Sequence, residues 1–285
     1  MIRTLTFIVP EEQNGVDVRT YIRKTLGFSA RILTALKYEG EMLRNGELVR
    51  SVDKLCGGDE LRLTLFDEAS AYEAVPAELS VLYEDEDFLV LDKPAGMPVH
   101  PSPGHDRDSV LNAAAWYFRN EANFVFRPLY RLDRDTTGAL VLAKNKFSAC
   151  ADLEKTYTAV CEGEVPESGV IDTPIGIKPG HTLQRCAGTG DPACTKFCRL
   201  KTDGKHSLVE FHLLTGRTHQ IRVHMSSIGY PVAGDDFYGG HLDRTEQQML
   251  RCSHVQISWP ALEKTVDIRA DFSDFQKRLF PELFR

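Results

Sequence analysis

The sequence predicts a mixed α/β fold of the α+β kind, and three features carry that expectation. Apolar residues recur at helical spacing in "VRTYIRKTLGFSARILTALKYEG". Runs of strand length, such as "ELRLTLF" and "FLVLDKP", alternate or stay apolar throughout. Asn45-Gly46 and Asp203-Gly204 supply tight turns that fold one strand back on another. At 285 residues, the chain is long enough for a sizeable core plus a small extra domain. Its 42% hydrophobic and 26% charged content is that of an ordinary soluble protein.

Residues 1–66 form the first unit, a small α/β domain. Val18, Ile22 and Leu26, then Ile32, Leu36 and Tyr38, follow helical spacing. Gly27 breaks the first helix, Ser29 caps the second and Gly40 ends it. "MLRNGELV" is a hairpin turning at Asn45-Gly46, and "ELRLTLF" is the closing strand. Arg19, Arg23, Lys24, Arg31 and Lys37 put positive charge on the exposed helix faces. Residues 67–78, "DEASAYEAVPAE", are polar, Ala-rich and acidic, the composition of a solvated linker.

A second domain spans residues 79–285. "FLVLDKP" is a short buried strand, and "AGMPVHPSPGHDRDS" is a loop long enough to be functional. "SVLNAAAWYFRN" is a helix, "GALVLAKN" and "KTYTAVCEGEV" are strands, and residues 193–216 are a long hairpin. In "GRTHQIRVHMSSIG", Ile221, Met225 and Ile228 lie on one helical face. Thr218 is the expected N-cap of that helix and Gly229 its left-handed end. Arg222 then falls in the first turn just after Arg217, an anion site for a phosphate or a protein carboxylate.

Several classes of protein are set aside. The first residues carry no apolar signal segment, and no apolar run reaches membrane-spanning length. The seven cysteines include no C-x-x-C pair, so reduced thiols and a cytoplasmic location are expected. Cys194 and Cys198 lack matching metal-ligand partners, and no metal site is expected. There is no G-x-S-x-G elbow, no Walker-type phosphate loop and no H-E-x-x-H, hence no nucleotide-cofactor site. His219 and His224 are five apart on one helix and would not share a metal. The net charge of −7 is local: residues 67–92 hold nine acids and no Lys or Arg, leaving +2 over the remainder. A basic binding face elsewhere is therefore compatible with the total.

The chemistry concentrates in "YRLDRDTTGALVLAKN", residues 130–145. Asp135, just before Thr-Thr-Gly, fits a turn-holding role. Asp133 stands beside Arg131 and Arg134, whose guanidiniums would keep it ionised as a nucleophile needs. Spacing alone leaves Asp133 open between a surface ion pair and a catalytic carboxylate.

"RLDRDTTG" with its following strand resembles the signature of the RluA-type pseudouridine synthases. So do "EDEDFLVLDKPAGMPVHP", "KTYTAVCEG" and "LLTGRTHQIRVHMSSIGYPVAGDDFYG", and these blocks stand in the family's order across most of residues 79–285. The resemblance implies a pseudouridine-synthase fold, with a central, mainly antiparallel sheet flanked by helices and long loops. It implies Asp133 as the catalytic aspartate, Arg222 as its basic partner, and Tyr157 as the residue that stacks on uracil and shares in proton removal. Leu250 corresponds to the apolar wall of the base pocket. Arg131, Arg217, His219, Gln220 and His100 are the expected substrate contacts. The N-terminal unit is similar to the alpha-L RNA-binding module.

The activity so implied is cofactor-free isomerisation of uridines in structured RNA, ribosomal RNA first and transfer RNA next, by a monomer. A non-catalytic RNA-binding or ribosome-assembly protein is the alternative. A hydrolase using Asp133 and Asp135 as a carboxylate pair would need both to face one substrate with divergent pKa values. The sequence departs from the family pattern at Tyr130, where His is usual, at Asp191, where a basic residue is common, and at Arg251, where His is frequent. The stretch from Lys144 to Lys155 is also short.

Overall fold

A computed structural model of the chain describes residues 2–67, 71–121 and 125–285. Residues 68–70 of the expected linker lie outside the described residues. Strands β1 (Ile2–Ile8), β2 (Gly40–Arg44), β3 (Glu47–Leu48) and β4 (Glu60–Phe66) form an antiparallel sheet in the order β1-β4-β2-β3. Asn45 and Gly46 turn β2 into β3 with φ of 52° and 86°, as the sequence requires. Two helical segments pack on this sheet. α1 (Val18–Thr20) runs into a wider π turn over Tyr21–Thr25, and α2 (Ala30–Tyr38) starts with the Ser29 hydroxyl accepting from the Ile32 amide. Val18, Ile22, Leu26, Ile32 and Leu36 are buried, but Tyr38 is 83% exposed. The inward positions near the end of α2 are Leu33, Ala35 and Leu36, so Tyr38 falls on the outer face.

The second sheet is built from β5 (Val81–Glu84), β6 (Phe88–Lys93), β7 (Arg127–Pro128), β8 (Thr137–Ala143), β9 (Asp152–Glu162) and β10 (Ser168–Asp172). A separate small hairpin, β11 (Ile175–Ile177) and β12 (Arg185–Ala187), interrupts it. It resumes with β13 (Cys194–Thr202), β14 (His206–Leu213), β15 (Leu250–Trp259) and β16 (Lys264–Arg269). The order is β10-β13-β14-β9-β15-β8-β6-β5, with β16 beside β15 and β7 beside β8. Every pairing is antiparallel except a short parallel match of β8 with β15, which sets Thr137 and Gly138 against Arg251 and Cys252. Helices α3 (Val110–Tyr117), α4 (Gln220–Ser227) and α5 (Asp274–Leu279) complete the unit. Among the described residues, no helix is long and apolar enough to cross a membrane.

Helix α4 differs in detail from its sequence pattern. His219, not Thr218, is its N-cap, with left-handed φ 59° and ψ 22°. The start is held by Gln220, whose Oε1 accepts from the Thr215 hydroxyl and the Arg217 amide, both at 2.9 Å. Ile221 and Met225 are buried, whereas Ile228 lies past the helix end and is 37% exposed. Gly229 is left-handed as expected, with φ 86°.

The acidic run is not simply solvated. Buried Asp67 accepts from Arg127 Nη2 at 2.9 Å and from the Lys146 amide at 3.1 Å. Asp87 is fully buried and takes Arg3 Nε at 2.9 Å, Asn145 Nδ2 at 2.9 Å and Lys264 Nζ at 3.1 Å. Arg3 belongs to the first sheet, so this carboxylate ties the two sheets together. Phe28 against Phe147, with ring centroids 5.4 Å apart, packs the same junction.

Gly138 shows why one glycine is required. Its φ is 104°, and a Cβ there would sit 2.3 Å from the Cys252 carbonyl oxygen. Replacing it forces apart the parallel pair of β8 and β15. Gly138→Ala is expected to lower the unfolding free energy by about 2–4 kcal/mol. Urea denaturation measures this, and wild-type stability would show that β8 and β15 need not approach so closely.

Candidate active site

Four segments distant in sequence converge beside the β8–β15 pair. The first is the turn before β8, in which the Asp133 carbonyl accepts from the Thr136 amide at 3.2 Å. Two buried side chains pin this turn. Lys93 Nζ donates to the Arg134 carbonyl at 2.7 Å, and Gln248 Nε2 donates to the Thr136 hydroxyl at 2.8 Å. The Asp133 side chain is left 26% exposed above the turn.

The cation facing Asp133 is neither of its sequence neighbours. Arg134 pairs with Asp135 at 2.9 Å, because successive side chains in such a turn diverge, and Arg131 is exposed on the cavity rim. Arg222 of α4 faces Asp133 instead, its Nη1 donating to Oδ2 at 3.3 Å. His219 Nε2 lies 3.9 Å from the same oxygen. Arg222 is held more tightly by a residue the sequence reading did not single out. Nε and Nη2 donate to the two oxygens of buried Asp235 at 2.6 and 2.8 Å. Burial opposes the guanidinium's charge, but hydrogen bonds and attraction from Asp235 and then Asp133 hold its pKa above the usual value. Gly234, with φ 77°, presents Asp235 from a loop so close that a Cβ would lie 2.3 Å from the Gln247 carbonyl oxygen.

Tyr157 projects from β9, opposite Phe211 of β14 and Cys252 of β15. Burial, then the neighbouring Cys252 and Asp133, push its phenol well up, so the hydroxyl keeps its proton. Leu250 opens β15 and turns toward the same space. The next residue alternates to the other face: Arg251 is buried, 2.6 Å from Asp92.

Together these side chains line a small cavity of about 60 Å³ that opens onto a wider cleft, well below the size of a large-cofactor pocket (~300–1,000 Å³). Asp133, Tyr157, Arg222 and Leu250 line it, with Arg131, Arg217, His219 and Gln220. His100 does not reach this cavity; it lines the wider cleft outside, with Tyr130, Arg131, Arg134, Lys155 and Arg217. Its charged lining is mostly basic, with Arg131, Arg134, Lys155 and Arg217 against Asp133. Two expected substrate contacts are engaged by the protein. Gln220 Nε2 donates to the Cys194 carbonyl and the Thr195 hydroxyl at 3.0 Å, which with its two accepted bonds occupies the whole amide. Arg217 is drawn to Asp191 at 3.3 Å and donates to the Pro192 carbonyl, but stays exposed. Among the described residues, no group of three or more His, Cys, Asp or Glu side chains is arranged to hold a metal ion.

Residues 87–227 match the family described as RNA pseudouridylate synthase. The uncharacterized RNA pseudouridine synthase YhcT of Bacillus subtilis (strain 168) is 33% identical over 292 residues, covering 97% of this chain and 96% of that protein. Ribosomal large subunit pseudouridine synthase D of Pseudomonas aeruginosa is 39% identical over 214 residues, covering 71% of this chain and 67% of its own. The solved structure of human RNA pseudouridylate synthase domain containing 1 is similar at 27% identity and a TM-score of 0.59, covering 73% of this chain and 89% of that one.

Lys93 gives the site a measurable signature. Its ammonium also donates to the Pro94 and Met97 carbonyls at 2.8 and 2.7 Å, joining the two loops that flank the cavity. Burial pushes its pKa down to about 8 from 10.5, against the pull of Asp135 and Asp133. Between those values the unfolded chain holds the proton and the folded one does not, so this group adds stability as pH rises through the window. From pH 7 to pH 10, wild type should gain roughly 2–3 kcal/mol on Lys93→Met in urea unfolding. An unchanged difference would mean that Lys93 titrates as a solvated lysine.

Proposed function

Because this chain belongs to the RNA pseudouridylate synthase family and is an isomerase acting on RNA, we propose that Asp133 is its catalytic carboxylate and Arg222 its ion-pair partner. Tyr157 holds the uracil ring, with Leu250 as the apolar wall. Isomerisation breaks the bond from ribose C1′ to uracil N1, turns the base and joins C1′ to C5; C5 then gives up its proton and N1 takes one up. Asp133 acts at the sugar or base, with the Arg222 guanidinium 3.3 Å away. Tyr157 works through its ring face, because its elevated phenol pKa suits stacking and hydrogen-bond donation rather than proton removal. The base leaves the RNA stack to reach Asp133 beside this cavity.

Arg131, Arg217, His100 and His219 are the proposed RNA contacts. Lys155 and Arg134 extend their basic cleft toward phosphates. Gln220 is not among them: it sets the start of α4 and thereby aims Arg222. Residues 1–66 are the proposed RNA-docking unit, through the exposed Arg19, Lys24, Arg31 and Lys37, and residues 79–285 the catalytic domain. The proposed substrate is large-subunit ribosomal RNA, supported by the name of the Pseudomonas relative. A monomer working in the cytoplasm is the proposed form, in keeping with seven cysteines that include no C-x-x-C pair.

One observation carries this reading: Asp133, Tyr157 and Arg222 come from a turn, a strand and a helix, yet line one cavity. Asp133→Asn is expected to reduce tritium release from ribosomal RNA labelled at uracil C5 to background while RNA affinity stays within a few fold. Full release by the variant would refute the assignment.

A further inference from the structure

His219 has a feature that its position beside the cavity does not require. It is a non-glycine residue in the left-handed region, φ 59°, and this backbone turns its ring between the Asp133 carboxylate and Tyr238. Two hydrogen bonds meet at the Tyr238 hydroxyl: the Arg185 amide donates to it at 3.0 Å, and His219 Nδ1 lies 2.7 Å away. The amide can only donate, so every group is satisfied when Tyr238 gives its own proton to Nδ1. Burial keeps the phenol protonated for that bond and holds the imidazole below its usual pKa, despite the attraction of Asp133. The ring is therefore neutral and carries its single proton on Nε2.

That N–H points at the cavity. Its separation from Asp133 Oδ2, 3.9 Å, is too long for a hydrogen bond, so a substrate atom seated above both groups can accept from Nε2 while facing the carboxylate. Arg222 places three of its five N–H donors on Asp235 and Asp133, so its charge is shared between two carboxylates.

We propose that His219 is a catalytic residue, donating a hydrogen bond from Nε2 to the uracil as it leaves the ribose. When the glycosidic bond breaks, its electron pair goes with the base, and negative charge spreads over N1 and the ring carbonyl oxygens. A fixed neutral donor next to Asp133 meets the edge of the base nearest the sugar and stabilises that charge without transferring its proton. Tyr238 is the positioning residue, because it fixes which ring nitrogen carries hydrogen. This inference rests on the proposed role of Asp133.

The test uses the full chain and large-subunit ribosomal RNA transcripts containing either uridine or 5-fluorouridine. Single-turnover rates come from loss of the starting nucleoside after nuclease digestion, because C5–F has no proton to lose and its C5-glycosyl product stays non-aromatic. His219→Asn keeps a residue tolerant of the left-handed backbone but withdraws the donor. It should slow conversion of the uridine transcript ~10²-fold. It should slow the fluorinated transcript far less, because fluorine already stabilises the departing anion. Tyr238→Phe, which removes no atom from the cavity wall, should shift both rates in the same unequal way. Equal losses on the two transcripts, or a loss confined to RNA affinity, would overturn the role of His219. An active Asp133→Asn enzyme would instead overturn the site on which it rests.

Discussion

The structure depends on one guanidinium divided between two carboxylates. Arg222 gives Asp235 two short, nearly parallel hydrogen bonds and Asp133 a single longer one. A buried cation needs such compensation, since its desolvation is repaid only by well-placed acceptors. Arginine suits the task because its planar fork serves two acceptors at once. The division is unequal, and this matters chemically. Asp235 is the anchor, buried with an Arg222 donor on each oxygen, while Asp133 takes a single donor from it and keeps one side open to the cavity.

The rest of the fold positions that arrangement. Asp133 sits in a loop, yet its turn is tied by Lys93 and Gln248 and runs directly into β8, whose seven residues are all buried. Gly138 lets β8 and β15 approach closely enough that Leu250 lines the cavity with Asp133. Gln220 fixes the start of α4, and His219 leaves the helix axis there in a left-handed conformation. Rigid strands thus carry loop-borne groups, the usual means of holding a reactive constellation in place.

Much of this was legible in the sequence. Strands β6, β8 and β9, the β13–β14 hairpin, and helices α2 to α4 follow from apolar spacing and turn residues. Strand β1 did not declare itself, because its inward positions are Arg3, Leu5 and Phe7. The arginine that breaks the apolar alternation points inward to meet Asp87 across the chain. The partner of Asp133 was misjudged from residues alone for a related reason: Arg131 and Arg134 are adjacent in sequence but diverge in the turn. Asp235 was hidden beside Asp236. Only the flanking Gly234 hinted at a constrained loop, and nothing in the letters says which of the two carboxylates turns inward.

The division of Arg222 is tested most directly by Asp235→Asn, which keeps the shape of the anchor and removes its charge. The guanidinium then has Asp133 as its only anion and is expected to draw it out of use. Single-turnover conversion of ribosomal RNA should slow about 10-fold or more, equivalent to ~1.4 kcal/mol of barrier, with RNA affinity and circular dichroism unchanged. A folded Asp235→Asn enzyme working at the wild-type rate would contradict the account.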